Sequence, residues 1–342
     1  MRTLTSRELN RAVLARQLLL DRAEVDVPRA LERVSGLQTQ YAPTGYVGLW
    51  SRLRDFRRAD LTTALEGGSA VQCWMMRCTI HMIAATDHAP FTAAVREPRR
   101  TWWRRSLPER RTLDVGPAAE AARRHLADGP LKQAEIQARL AADGFPKGVW
   151  PGVQLWTDLV RVPPAGTWGT PRAHVYGVAD LPDVDVAAGE EHLVRRYLGG
   201  FGPASAADVA SFCGWTVTAA RAVLARLELR RFVTEDGTEL LDVLDAPLPD
   251  PDTPAPVRFL GPWEAVLLVH ARRAQVLPEE HRPKVFATSM PQSVGTFLVD
   301  GQVAGTWRHT DGRVRTDPFE PLDAGAARDV AAEADRLTAW YR

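Results

Sequence analysis

Apolar residues in the first quarter of the chain recur at the spacing of short helices, and a β-rich segment follows them. Thr5 and Glu8 have the spacing of a capping box, and apolar residues at helical intervals come directly after them. Further helices are predicted over about 27–35, 43–53 and 58–68, with glycine at their ends. Residues 70–87 are rich in β-formers, so they predict a strand or hairpin.

This order of helices and then a hairpin is typical of a winged helix-turn-helix unit, and it repeats twice. The second unit has helical patterns in 116–129, 130–144 and 147–162, the last interrupted by Pro151, and a glycine-rich hairpin in 166–179. In the third unit, three helical patterns lead to a hairpin at Asp236 and Gly237, a strong turn dipeptide. Each unit therefore predicts the same small fold.

The remainder of the chain predicts an α+β part. Residues 245–256 read as an acidic, proline-rich linker. Strands, a second Asp-Gly hairpin at Asp300 and Gly301, and a terminal helix over about 324–341 follow. The predicted fold is mainly α with small β-hairpins and sheets. Its predicted domains are three tandem winged-helix units at 1–112, 113–185 and 186–248, and a C-terminal part at 249–342.

The composition is that of an ordinary globular protein. Of the 342 residues, 45% are hydrophobic and 25% are charged, and no apolar run approaches the ~20 residues that cross a bilayer. The first residues lack the apolar core of a signal peptide. The chain has only three cysteines, Cys73, Cys78 and Cys213, and so small and odd a number does not suit a disulfide framework. We therefore expect a cytoplasmic protein without a membrane anchor.

The charge is unevenly distributed although the net charge is only +1. Residues 96–111 carry a net charge of +5, and residues 233–252 carry −7. Trp102 and Trp103 lie within the basic run, and indoles with guanidinium groups suit nucleic-acid binding. The alternative is an amphipathic helix with its Trp in the core and its Arg in solvent. The candidate DNA contacts in this run are Arg99, Arg100, Arg104 and Arg105.

The stretch GLQTQYAPTG places two glutamines two residues apart. Gly36 indicates that the preceding helix has ended, and Pro43 favours extended backbone before it. In an extended chain Gln38 and Gln40 share one face, and Thr39 lies on the other. The alternative is two loop glutamines that bond backbone groups. Glutamine carries no charge, so any chemistry here must need only an amide.

A second polar pattern lies in MMRCTIHM, residues 75–82. Read as a strand, it projects Arg77, Thr79 and His81 on one face and apolar residues on the other, as in a half-buried strand. That polar face either meets solvent or contacts phosphates and base edges. No His-x-x-x-His, zinc-type cysteine spacing, phosphate-binding glycine loop or Gly-x-Ser-x-Gly occurs, so no metal and no cofactor is predicted.

Four motifs together, SGLQTQYAP, RCTIHM, RVPPAGTWG and FLVDGQVAGTW, resemble the AlkZ/YcaQ-type winged-helix DNA glycosylases over residues 4 to about 310. The resemblance implies a C-shaped DNA channel and excision of N7-alkylated purines, including the unhooking of interstrand crosslinks. Gln38 and Gln40 match the Gln-x-Gln motif of the AlkZ-like branch, whereas the YcaQ-like branch has Asp second. Thr39 stands where an apolar residue is usual. Residues 261–281 match more loosely, with Ala274 where a charged or polar residue is usual.

The resemblance also implies roles for other residues. Gln38 and Gln40 would be catalytic, and Arg77, Thr79 and His81 would support them. A hairpin of the family presses into the minor groove, and the candidates here are the turn followed by Gln302 and the wing that carries Trp168 and Arg172. The expected partner is double-stranded DNA with N7-alkylpurine or crosslink lesions, bound by a nucleoid-associated monomer. The alternative is a non-catalytic winged-helix regulator or drug-sequestering protein.

Overall fold

The computed structural model describes residues 1–268, 274–286 and 294–342, and within these ranges the chain is mainly helical. The helices are α1 (Ser6–Arg16), α2 (Val27–Val34), α3 (Ala42–Arg52), α4 (Arg58–Glu66), α5 (Ala85–Ser106), α6 (Val115–His125), α7 (Gln133–Ala142), α8 (Trp150–Trp156), α9 (Val186–Phe201), α10 (Ala206–Cys213), α11 (Val217–Leu224), α12 (Ala265–Leu268), α13 (Arg282–Val285) and α14 (Ala324–Tyr341). Within the loosely matching stretch 261–281, residues 269–273 lie outside the described residues.

The strands form three small sheets. They are β1 (Arg2–Leu4), β2 (Leu37–Gln38), β3 (Ala70–Trp74), β4 (Ile80–Ala84), β5 (Leu131–Lys132), β6 (Leu159–Arg161), β7 (Val175–Val178), β8 (Arg230–Thr234), β9 (Glu239–Asp242), β10 (Arg258–Leu260), β11 (Gly295–Val299), β12 (Gln302–Thr310) and β13 (Arg313–Pro318). The sheet orders are β1-β8-β9, β10-β11-β12-β13 and β2-β4-β3-β6-β7-β5. The predicted fold class, mainly α with small sheets, is confirmed.

The sheets link parts of the chain that the sequence assigns to different units. β3 pairs with β6, so the hairpins of the first two predicted units share one six-stranded sheet. β1 pairs in parallel with β8, so the first residues of the chain complete the hairpin of the third unit. The domain boundaries remain a prediction, because none of these sheets is confined to one unit except the C-terminal one.

Local sequence signals place most element ends correctly. The capping box at Thr5 and Glu8 opens α1, and the Glu8 carboxylate accepts from the Thr5 backbone N–H at 2.8 Å. Pro151, however, does not interrupt a helix. It lies in the first turn of α8, where a missing N–H costs nothing, and residues 159–161 form β6 instead of continuing the helix.

The prediction of one half-buried strand across residues 75–82 is wrong. Residues Met76–Cys78 form a 3₁₀ turn at the tip of the β3–β4 hairpin, with Arg77 at φ 54°. β4 begins only at Ile80, and all five of its residues are buried. The reason is its place in the sheet, because β4 lies between β2 and β3 and packs against α2. Neither face of this strand meets solvent.

The acidic segment 245–256 is held against α1. Three arginines of α1 donate to its backbone carbonyls: Arg7 to Pro251, Arg11 to Thr253 and Arg16 to Pro247, at 2.7 to 3.1 Å. Backbone carbonyls rather than the carboxylates are the acceptors in these contacts. The segment therefore lies along α1, between β9 and β10.

Candidate active site

The first glutamine is held in a short strand at the edge of the six-stranded sheet. The turn after α2 has left-handed backbone at Ser35 and Gly36, with φ 60° and 78°. A Cβ built at Gly36 would lie 2.7 Å from Ile83 Cγ2, so only glycine fits this approach to β4. β2 then pairs antiparallel with β4, with Gln38 directly opposite His81. Directly opposed residues share a face, with Cβ atoms about 5 Å apart.

The side chains on either side of Gln38 point the other way. A Cβ at Gly48 would lie 3.2 Å from Leu37 Cδ1, and one at Gly45 would lie 2.9 Å from Thr39 Cγ2. Leu37 and Thr39 therefore both face α3, and Gln38 faces away from it. The alternation expected of an extended chain holds at these three residues.

Gln40 lies beyond the strand, in the bend that leads into α3. It is partly exposed, and its amide has no hydrogen-bond partner in residues 1–268, 274–286 and 294–342. Gln38, by contrast, is only 7% exposed. Gln38 therefore belongs to a packed sheet and not to a loop, whereas Gln40 lies outside the sheet.

Arg77 fixes the orientation of the Gln38 amide. Its Nη2 donates to Gln38 Oε1 at 3.0 Å, and its Nη1 donates to the Phe212 carbonyl of α10 at 3.1 Å. Arginine can only donate, so the amide must turn its oxygen towards Arg77 and its NH₂ away. Burial lowers the pKa of Arg77 to about 10, so the guanidinium stays charged at neutral pH. Within the described chain, no carboxylate forms an ion pair with it.

His81 is a neutral, enclosed imidazole. It is 2% exposed, and its Nδ1 lies 3.1 Å from the Thr79 carbonyl oxygen and 3.4 Å from Thr79 Oγ1. Burial first, and then the charge of Arg77, lower the pKa of His81 to about 3. The structure thus brings together Gln38, Arg77, Thr79 and His81, although Arg77 reaches the others from a turn and not from the face of a strand.

The candidate DNA contacts of α5 separate into exposed and buried groups. Arg104 and Arg105 are exposed near the end of the helix, beside Trp102, which is 55% exposed. Arg100 and Arg104 lie over the ring of Trp156 at 5.0 and 5.1 Å. Trp103 is buried. The run is therefore an amphipathic helix that also leaves cationic groups at the surface.

Arg99 is not available to DNA. It is 5% exposed, donates to the Trp74 carbonyl and lies 3.8 Å from the Asp158 carboxylate. Its place on the inner face of α5 explains this, since it is four residues before Trp103, which is also buried. We therefore do not retain Arg99 as a phosphate contact.

Neither hairpin chosen from sequence presents a free tip. Asp300 forms ion pairs with Arg7 and Arg11 of α1, and Asn10 donates to the Gly301 carbonyl at 2.8 Å. The turn is thus docked on α1, although Gln302 beside it is exposed. Insertion of this turn into a minor groove stays a prediction.

Trp168 is likewise engaged within the protein. Its ring lies 5.5 Å from Tyr46, 5.2 Å from Trp340 and 5.4 Å from Tyr341, and Arg58 covers it at 4.9 Å. The loop between β6 and β7 therefore anchors the C-terminal helix α14. Arg172, in the same loop, is exposed.

Comparisons with known proteins agree with this architecture. The sequence model of a family described as "DNA glycosylase AlkZ-like" matches residues 31–340. The solved structure of Streptomyces sahachiroi DNA glycosylase AlkZ is similar at a TM-score of 0.82 and 18% identity, over 98% of this chain and 97% of that one. No curated protein matches the chain.

The chain belongs to the AlkZ-like DNA glycosylase family. It is therefore a DNA glycosylase, a hydrolase that acts on N-glycosidic bonds in DNA. The match begins within α2 and includes Gln38, Gln40, Arg77 and His81.

Sequence reasoning missed Phe212 as a member of the site. It contributes only its carbonyl oxygen, which accepts from Arg77, and its ring, which lies 5.6 Å from the guanidinium. Any residue type offers a carbonyl, so no signal in the sequence marks this one. The contact ties α10 to the hairpin tip and through it to Gln38.

Residues 1–268, 274–286 and 294–342 contain neither a candidate metal site nor a candidate membrane-spanning helix. No group of three or more His, Cys, Asp or Glu side chains in them could hold a metal ion. Among the same residues, no helix is both long and apolar enough to cross a bilayer.

The buried histidines make the fold sensitive to mild acid. Burial lowers the pKa of His81 to about 3 and that of His88 to about 4, below the ordinary value of 6.5. Below about pH 6.5 the unfolded chain therefore binds protons on these two rings, whereas the folded chain keeps the rings neutral. Their stabilising effect is complete above about pH 6.5 and is lost as the pH falls towards 3 to 4.

We expect the free energy of unfolding to fall by up to about 1.4 kcal/mol per pH unit for each ring below pH 6.5. Denaturant unfolding between pH 7.5 and 5 measures this before most carboxylates titrate. The double variant His81→Gln/His88→Gln should show a flatter profile, and exposed His309→Asn should match the wild type. A wild-type stability that does not change over this interval would contradict the assignment of two buried neutral rings.

Proposed function

We propose that this enzyme is a monofunctional glycosylase that hydrolyses the N-glycosidic bond of cationic N7-alkylated purines in double-stranded DNA. The observation that carries the proposal is a site without acidic groups. In the described chain, the side chains of Gln38, Arg77 and His81 form hydrogen bonds to an amide, backbone carbonyls and a hydroxyl, and to no carboxylate. Such a site cannot supply a strong acid or base, so its substrate must carry its own activation.

An N7-alkylguanine meets this requirement. It is already cationic, so the base leaves without being protonated, through a transition state that resembles an oxocarbenium ion. The enzyme then needs only a positioned water and suitably oriented dipoles near C1′. Amides provide both. The same site would leave neutral bases alone, because it has no means to activate a poor leaving group.

The charge of Arg77 supports a DNA substrate. A buried guanidinium without an anionic partner is unfavourable until it meets one, and phosphates that flank a flipped nucleotide would supply it. Flipping costs a few kcal/mol, less where a lesion weakens the stack. Exposed Arg104, Arg105 and Arg172 would contact phosphates further along the duplex. We further propose that the predicted winged-helix units enclose the duplex in a C-shaped channel and act as a monomer.

Interstrand crosslinks through purine N7 atoms present the same chemistry. Each linked purine is an N7-alkylated cation, so cleavage of one glycosidic bond would unhook the strands. We include such lesions in the proposed substrate class, as damage from alkylating agents or from crosslinking natural products.

The test is release of free base from a duplex with a single 7-methylguanine, at saturating enzyme, with the unmodified duplex as control. We expect release of 7-methylguanine and no release of guanine. Binding of both duplexes without release from any N7-alkylated DNA would overturn the proposed substrate. It would favour the alternative of a regulator or drug-sequestering protein.

A further inference from the structure

We propose that His81 is a catalytic residue that accepts a hydrogen bond from the attacking water through its unprotonated Nε2, while the NH₂ of Gln38 donates to the oxygen of that water. The proposal rests on the proposed function. It assigns the proton of the attacking water to one residue and the lone pair of its oxygen to another. It also differs from a mechanism in which the Gln38 amide oxygen holds the water.

The contacts of His81 determine its tautomer. A carbonyl oxygen can only accept, so the Nδ1 atom 3.1 Å from the Thr79 carbonyl carries the proton. The Thr79 hydroxyl agrees with this, because its own proton goes to the Met76 carbonyl at 3.1 Å and its lone pair faces Nδ1. A neutral ring has one N–H, so Nε2 keeps a lone pair. That atom has no hydrogen-bond partner among the described residues.

The contacts of Gln38 decide what its amide can do. Its oxygen accepts from Arg77 at 3.0 Å, and this contact turns the amide so that its NH₂, which only donates, points away from Arg77. A water between Gln38 and C1′ therefore needs an acceptor from another residue. His81 lies directly across from Gln38 in the β2–β4 pair, on the same face of the sheet. The lone pair of His81 Nε2 is therefore an acceptor on the residue directly opposite Gln38.

The electrostatics favour a neutral acceptor here. The site already holds the charge of Arg77 and would receive a cationic base, so a protonated imidazole would add a third positive charge. Burial and Arg77 keep the pKa of His81 at about 3, which prevents this. A stronger acceptor is unnecessary, because water that has added to an oxocarbenium carbon is a strong acid and gives up its proton readily.

The step balances without a co-reactant. The C1′–N9 bond breaks, and its electron pair neutralises the purine ring. The water oxygen bonds to C1′, its proton passes to His81 Nε2, and that proton then leaves to solvent. No metal or redox partner enters.

A matched pair of substitutions tests the role of Nε2. His81→Asn keeps an amide N–H that can reach the Thr79 carbonyl but has no atom at the position of Nε2, whereas His81→Gln reaches that position with an oxygen. We expect His81→Asn to lower the single-turnover rate constant for 7-methylguanine release by ~10²-fold and His81→Gln to remain within about tenfold of wild type. The wild-type rate constant should not change between about pH 5 and 9, because the ring stays neutral.

Two further measurements separate chemistry from structure. Affinity for a duplex with 2′-fluorinated 7-methylguanine, which resists hydrolysis, should be equal in the three proteins, and melting temperatures check folding. A folded His81→Asn with wild-type rate, or a wild-type rate that falls as the pH drops through 6.5, would overturn the inference. If His81→Asn does not fold, the pH dependence of the wild-type rate constant and the rate constant of His81→Gln still test the inference. If the wild type releases no 7-methylguanine, the proposed function fails instead.

Discussion

Replacing either Gln38 or Gln40 by alanine is expected to slow 7-methylguanine release by ~10²-fold or more, the low end for a group that positions a proton transfer. Gln38 would lose the NH₂ that faces away from Arg77, and Gln40 would lose the amide that has no partner within the described chain. Both variants should bind DNA as the wild type does, because the exposed arginines lie elsewhere. Single-turnover release at saturating enzyme measures the chemical step separately from binding.

The two glutamines should differ in their effect on stability. Gln38 is buried and accepts from Arg77, so Gln38→Ala leaves a buried donor with one acceptor fewer, at a cost of about 1–3 kcal/mol. Gln40→Ala should have no such cost. Gln38→Glu is the matched control, because a carboxylate can still accept from Arg77 but has no NH₂. It should recover stability without recovering the rate.

At position 40, the nature of the replacement should matter. Gln40→Asp is expected to retain activity, because the YcaQ-like branch has Asp there and an anion can also hold water and face a cation. Gln40→Leu is expected to lose activity, because a leucine side chain can neither hold water nor place negative charge near a cation. If the wild type is active and both alanine variants release base at its rate, the enzyme is a glycosylase whose catalytic residues lie elsewhere.

Local signals in the sequence predict the elements around the site well. Capping residues, proline at a first turn and glycine after a helix are short-range effects, so α1 and α2 begin and end close to where the sequence places them. The alternation at Leu37, Gln38 and Thr39 follows from backbone geometry alone. What the sequence cannot provide is the partner of each side chain, because that depends on elements distant in the chain.

The two Asp-Gly turns show this limit most clearly. Both dipeptides form hairpin turns, as their backbone preferences predict. A Cβ at Gly237 would meet nothing within 4 Å, whereas one at Gly301 would lie 2.5 Å from Asn10 Oδ1. One turn is thus open and the other is docked on α1. The Asp-Gly dipeptide determines the backbone conformation of the turn. It does not determine which other part of the protein packs against that turn.

Arg77 illustrates the same limit at the site. The sequence groups it with Thr79 and His81 by alternation along a strand, but the chain turns at Met76–Cys78 with left-handed backbone at Arg77 and Cys78. Non-glycine residues rarely adopt this conformation, so a period-of-two pattern was the natural expectation. Arg77 reaches Gln38 because the turn redirects it, and the Phe212 carbonyl then holds it.

Reversing Arg104 and Arg105 to Glu should weaken DNA binding on every sequence and flatten its dependence on salt. Each phosphate contact contributes about −0.9 to the slope of log K against log salt concentration, so the loss of two contacts should reduce the slope by about 1.8. Both residues are exposed at the end of α5, so the variant should fold. The matched control is Arg195→Glu/Arg328→Glu, which changes the net charge equally at two other exposed positions. Titrations at several salt concentrations with undamaged duplex measure both slopes. A control that loses as much affinity would show a general charge effect, and an unchanged Arg104→Glu/Arg105→Glu variant would place the binding surface on another part of the protein.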